Sequence, residues 1–285
     1  MADELPTHGD RQDVPADNDE SWFAALKTAY READADNAGI IAAGVAYYAF
    51  LAIVPLLGAM VMGYGLFADP AEVAEHARAL AGTLPQAAAE LITGQLEAAA
   101  TAATGTKGLG LLLAIAIAVF GARSGALAIV QALDIAYDLD EERSFVRQNL
   151  LALAMTVGAA LGLGLLASVV AAASVLDGLA GRVASFAVMF AATVGGALVI
   201  YRYVPNRAPP PWKWQLPGAI LFAAAIIVLT FGFSLYVANF GSYNATYGSL
   251  GAVVVLLTWL YLASYALLIG AELNAPSEHT EARRA

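Results

Sequence analysis

Residues 239–275 read NFGSYNATYGSLGAVVVLLTWLYLASYALLIGAELNA. A short polar turn gives way to a long apolar run, which then ends on a carboxylate, Glu272. Thr258, Tyr261 and Tyr265 interrupt the oil at steps of three and four, and Glu272 follows seven later. A helix puts such positions on one face. About 20 apolar residues span a hydrocarbon core as a helix, so this segment is long enough to cross a membrane.

Composition agrees. The chain is 60% hydrophobic and 13% charged, with a mean hydropathy of +0.66. A soluble domain is nearer to about 25% charged. Runs of similar character recur at about 39–67, 108–136, 149–175, 183–203 and 217–240, giving six spans with the one at 248–273. None alternates with period two, so a barrel is excluded and an all-α polytopic membrane fold is expected.

Between the spans lie shorter signals. Residues 1–38 hold ten acids against three bases, and residues 1–20 read as a disordered acidic tail. Trp22, Phe23, Leu26 and Tyr30 fall at helical spacing after Ser21, a capping residue. This predicts an amphipathic helix, either lying at the interface or packed on the bundle. Residues 70–103, broken by Gly82 and Pro85, read as short external helices between the first two spans. The membrane domain is thus 21–275, and 276–285 form a second tail. The proline-rich loop at 206–218 ends in Trp212, Lys213 and Trp214, a mixture suited to an interfacial anchor.

Lysine and arginine are unequally shared between the two sides. Ten of them fall at the ends next to the termini, and Arg78, Lys107 and Arg182 at the other ends. The positive-inside rule then places both termini in the cytoplasm of a cell with an inner or plasma membrane.

One arginine, Arg123, lies within a span. A charge at a helix centre costs at least about 2.5–3.5 kcal/mol, so it needs a partner or water. Asp134 is eleven residues on, nearly three turns, and Gln131 and Tyr137 extend that stripe. The second stripe is Thr258, Tyr261, Tyr265 and Glu272. Two polar faces are expected to line a seam or cavity open to the cytoplasm. Two readings stand: a structural lock, or a pathway for substrate or ions. Pro55 breaks a backbone bond in the first span and is a candidate hinge. Gly121/Gly125 and Gly158/Gly162 have the spacing of close helix contacts.

Several chemistries lack their residues. There is no cysteine, and His8, His76 and His279 lie in three separate external segments, so no metal site is expected. No cofactor fingerprint and no basic patch for nucleic acid are present.

AAGVAYYAFLAIVPLL (42–57), ALDIAYDLDEERSFVRQNLLAL (132–153), YRYVPNR (201–207), PGAI (217–220) and the block at 233–275 together resemble the BrkB/YihY family of inner-membrane proteins. The likeness covers about 22–275 and implies six spans. The family's recurrent positions fall on Tyr47, Tyr48, Pro55, Tyr137, Arg143, Pro205, Pro217, Gly218 and Tyr236, then on Tyr247, Gly248, Trp259, Gly270, Glu272 and Leu273. Asp134 stands where the family pattern has asparagine. The family carries an old ribonuclease BN label, which these residues do not support: no acid–base or metal cluster faces a positive surface. The expected role is not enzymatic. It is a transporter or flippase for a lipid or envelope precursor, with membrane lipids and an amphiphilic, lipid-linked substrate as partners. A non-catalytic scaffold for envelope machinery is the alternative. Cysteine labelling in intact cells should find residues 85–100 reachable from outside and 207–213 only from inside; the reverse sidedness would overturn this topology.

Overall fold

The computed structural model describes residues 22–64, 109–139, 143–173, 178–239 and 249–282. The acidic tail, the external segment at 70–103 and the 244–246 turn lie outside the described residues. Within them the fold is all helical. The helices are α1 (Trp22–Ala35), α2 (Ala38–Tyr64), α3 (Leu109–Ala136), α4 (Phe145–Ala173), α5 (Gly178–Tyr203), α6 (Trp212–Asn239) and α7 (Ser249–Ala282). Five of them, α3 to α7, are long and apolar enough to cross a membrane, and a sixth crossing follows if the bent pair α1–α2 is one span.

Sequence neighbours pack in order from α2 to α7, and α7 returns to α2, so six helices form a closed ring. Helix α1 lies across α7 and α2. The radial distribution of residues is that of a membrane protein. Most of the buried apolar positions are alanines, among them Ala42, Ala52, Ala122, Ala197, Ala219 and Ala271. The large apolar side chains point outward, including Phe120, Leu161, Phe186, Val228 and Phe231. Lipid tails are as apolar as leucine, so small residues are placed where backbones must approach and large ones are left to the lipid.

The two corners near the arginine-rich end are made by polar residues in the left-handed region. Asn37, at φ 55°, turns α1 into α2 through a 73° bend. Its amide donates to Asp34 O at 3.1 Å, and its own carbonyl accepts from Ile40 at 2.8 Å. Asp138, at φ 51°, ends α3. Leu139 N donates to Asp134 O and Asp138 N to Ile135 O, both at 2.9 Å, the Schellman pattern of a helix stop. Asparagine and aspartate tolerate this conformation better than other non-glycine residues.

Helix α1 divides its surface. Ala29 and Ala33 are buried against the bundle, while Trp22, Phe23 and Tyr30 stay exposed. The helix is therefore packed on the bundle through its small face and presents its aromatic face outward. Helix α6 starts at Trp212, five residues before the start of its expected span. Pro217 is accommodated within it. The amide of the next residue, Gly218, donates to Asn274 Oδ1 on α7 at 2.9 Å. Helix α7 runs on to Ala282, past the expected span end at 273.

Glycines set the closest approaches. A Cβ on Gly125 would lie 3.0 Å from Ala52 Cβ and 3.2 Å from Ala49 Cα, and one on Gly121 would lie 3.3 Å from Pro55 Cβ. Helix α2 passes through Pro55, whose ring rests on Gly121. Gly158 and Gly162 have the same spacing but nothing within 4 Å of their Cβ positions. The tightest crossing joins α6 to α7. A Cβ on Gly218 would strike the Gly270 carbonyl, and one on Gly270 would strike the Tyr201 hydroxyl and lie 2.8 Å from Gly218 O. Gly270→Ala is expected to lower stability by about 1–3 kcal/mol, the usual range for overpacking, and Gly158→Ala to change little. Thermal unfolding of the two variants in detergent checks this, and equal midpoints would refute the crossing.

Candidate functional site

Polar side chains concentrate at the end where α5 turns into α6 and where α3 and α7 close. Tyr201, Gln215 and Asn274 are completely buried, and Tyr137 and Glu272 nearly so. Tyr201 donates its hydroxyl to Leu267 O on α7 at 2.8 Å. Tyr137 Oη lies 3.3 Å from Gln215 Oε1. Asn274 accepts from Gly218, as described above. These contacts tie α3, α5, α6 and α7 together through partners that hydrocarbon cannot supply.

The turn at 204–207 lies on this cluster. Asp134 Oδ1 accepts the Asn206 backbone amide at 2.9 Å. Arg143 stands 3.7 Å from the same oxygen. Its Nη2 donates to Val204 O at 2.8 Å and its Nε to Asn206 Oδ1 at 3.2 Å. Arg207 lies over the Tyr137 ring at 4.1 Å and donates to Tyr201 O at 3.2 Å. Asp134 thus places a carboxylate beside an arginine.

The predicted residues divide among three places. Asp134 and Tyr137 belong to the cluster just described, and Glu272 is buried, at 4% exposed, in the neighbouring turn of α7. Its place at the end of an oily run follows: α7 continues, and its Gly270–Asn274 segment is enclosed by the bundle. Tyr261 and Tyr265 stack at 6.2 Å against the α1–α2 corner. The Tyr261 hydroxyl lies 3.5 Å from the Cβ position of Gly39. Gln131 and Thr258 are exposed, and Thr258 returns its hydroxyl to Val254 O at 2.8 Å. The two stripes therefore meet different neighbours and are not brought together along their length.

Arg123 has its own arrangement. Its Nη1 donates to Asn149 Oδ1 on α4, and its guanidinium lies 4.2 Å from the Phe120 ring centre. Asn149 is held in turn by a 2.7 Å bond to Phe145 O. An amide rather than a carboxylate solvates this charge. A hydrogen bond to a charged group contributes about 1.5–3 kcal/mol, the same order as the insertion cost of the arginine.

Beside the cluster is a cavity of about 380 Å³ between the start of α4 and the 202–209 turn. Arg143, Arg147, Arg202 and Arg207 line it, together with an apolar wall from Leu150, Leu151 and Ala154 on α4. Arg202 is fixed by a bond to Pro210 O and by stacking over Trp212 at 4.5 Å. Ser144 caps α4, its hydroxyl accepting from the Arg147 amide at 3.4 Å. Among the described residues no group of three or more His, Asp or Glu side chains is arranged to hold a metal ion.

Sequence reading passed over Tyr201, Gln215, Asn206, Asn274 and Asn149. Tyr201 fell within the expected span 183–203, Gln215 within the proline-rich loop at 206–218, and Asn274 just past the expected span end at 273. The available signal lay in the glycines: Gly218 and Gly270 leave room for another helix's backbone, and polar residues lie within four positions of each.

Comparison with known proteins gives a consistent answer. The family model described as Virulence factor BrkB matches residues 29–285. A ribonuclease-like protein of Bacillus subtilis, YfkH, is 32% identical over 178 residues, 56% of this chain and 63% of its own. A UPF0761 membrane protein of Tolumonas auensis is 40% identical over 83 residues, 29% of this chain and 27% of its own. One from Pseudoalteromonas translucida is 42% identical over 81 residues, 28% and 26% of the two chains. The matched segments span less than two thirds of these relatives' lengths. No solved structure matches. With nearly the whole chain covered by one family's pattern and its helices suited to a bilayer, the protein belongs to the BrkB family of membrane proteins.

Proposed function

We propose that the protein moves an amphiphilic envelope component, a lipid or a lipid-linked precursor, across the inner membrane. The observation that carries this reading is the cavity of about 380 Å³ lined both by four arginines and by apolar residues of α4. An amphiphile needs both surfaces at once: charge for its headgroup and a dry flank for the start of its chain. The bias of lysine and arginine supports a cytoplasmic position for this end and for both termini.

No residue of this site suggests hydrolysis of RNA, and the name carried by YfkH is not extended to this chain. The scaffold reading draws on a different observation. Tyr201, Gly218 and Asn274 are bonded to one another's helices, which favours a locked bundle.

Reconstitution into liposomes that carry fluorescently labelled phospholipid separates the two. The transport reading expects faster loss of inner-leaflet protection against a membrane-impermeant quencher than in protein-free vesicles. It also expects Arg202→Ala to slow that loss by about tenfold, the kinetic equivalent of about 1.4 kcal/mol. Stable, folded protein that leaves every tested lipid in its leaflet would favour the scaffold.

A further inference from the structure

We propose that the arginine cavity is a receptor for a phosphate group. Four guanidinium groups line it, in a chain whose net charge is −10. Asp134 engages one of them, at 3.7 Å from Arg143. All four cations are arginine, whose planar fork matches two phosphate oxygens at once, unlike the point charge of lysine.

The donors are held ready. The Arg143 side chain is only 5% exposed. Its Nε and Nη2 are committed to Asn206 and Val204, whereas its buried Nη1 has no hydrogen-bond partner among the described residues. Arg202 shows the same pattern: Nη1 is bound to Pro210 O and the ring face to Trp212, leaving its buried Nε without a partner. A buried donor left unsatisfied is costly, and an incoming oxygen would relieve that cost. Anchoring the rest of each guanidinium lowers the ordering cost of binding. Arg147, exposed in the first turn of α4, adds a third charge where the helix dipole also favours an anion.

The phosphate could arrive on a lipid or free in solution. From Arg147 to Ala154 the cavity follows α4 for about 10 Å at about 1.5 Å per residue. That depth along an apolar wall suits a phosphate monoester joined to acyl chains. The inference deepens the transport reading and rests on it for the site's place in a cycle. Its test is an equilibrium measurement in which nothing has to cross a membrane, so binding without translocation would leave it standing while the transport reading fails.

The full chain, purified in neutral detergent, is unfolded thermally with dioleoylphosphatidic acid, inorganic phosphate, oleate or dioleoylglycerol. A saturable rise in midpoint with phosphatidic acid, absent with dioleoylglycerol and oleate, is expected. Loss of both Arg147 and Arg202 bonds (R147Q/R202Q) is expected to weaken binding by about tenfold or more. The double variant K27Q/R31Q, which removes equal charge from exposed positions of α1, should bind as the parent does. If the double variant fails to fold, R147Q alone replaces it, because its exposed side chain lies at the cavity rim. Phosphatidic acid alone acting identifies a lipid-borne group; inorganic phosphate acting as well identifies recognition of the phosphate itself. Stabilisation by neither, equal stabilisation by oleate, or unchanged binding in the folded variants would overturn the proposal.

Discussion

Hydrocarbon offers no partner to a polar atom, and this constraint governs where every charge and amide of the bundle can lie. Arg123 answers it with Asn149 from the neighbouring helix. Asp134 answers it with a backbone amide and with Arg143. Tyr201 and Gly218 answer it with acceptors on α7. Each pairing crosses from one helix to another or to an inter-helix turn, so satisfying the atoms also fixes the packing. Because these bonds need short reaches, the helices must come close. Glycine at 218 and 270 and alanine through the interior make that possible.

The polar end therefore combines two properties. Its inner part is buried and bonded from helix to helix. Its outer part is a cavity lined by arginines, of which Arg143 Nη1 and Arg202 Nε have no hydrogen-bond partner among the described residues. Rigid placement of charge at the edge of an apolar bundle is a costly arrangement unless something anionic uses it. That placement is what supports the proposed recognition of an anionic group.

Much of this was legible in the sequence, for physical reasons. The spans follow from length and hydropathy alone, because a helix is obliged to bring its own backbone partners. Glu272 stood out because a carboxylate at the end of an oily run needs an explanation, and enclosure in the bundle supplies one. Partner choice was less legible. Arg123 and Asp134 share a helical face, yet they bond to different elements, since periodicity fixes direction but not which neighbour lies opposite. Gln215 looked like part of a loop because the prolines around it discourage helix. Asn274 compensates by accepting the amide that follows Pro217. The residues carrying the family resemblance proved informative here: Tyr137, Arg143, Pro205, Gly218 and Gly270 all converge on this end of the molecule.

The claim beneath all of this is that a charge in the bilayer is solvated by a neighbouring helix, and a double-mutant cycle on Arg123 and Asn149 tests it most directly. Asn149→Leu alone should destabilise the detergent-purified protein, because it strands a guanidinium. Adding Arg123→Leu should then restore stability, giving a coupling energy of about 1–3 kcal/mol. Strictly additive losses would mean that Arg123 draws its solvation from elsewhere and would contradict the account.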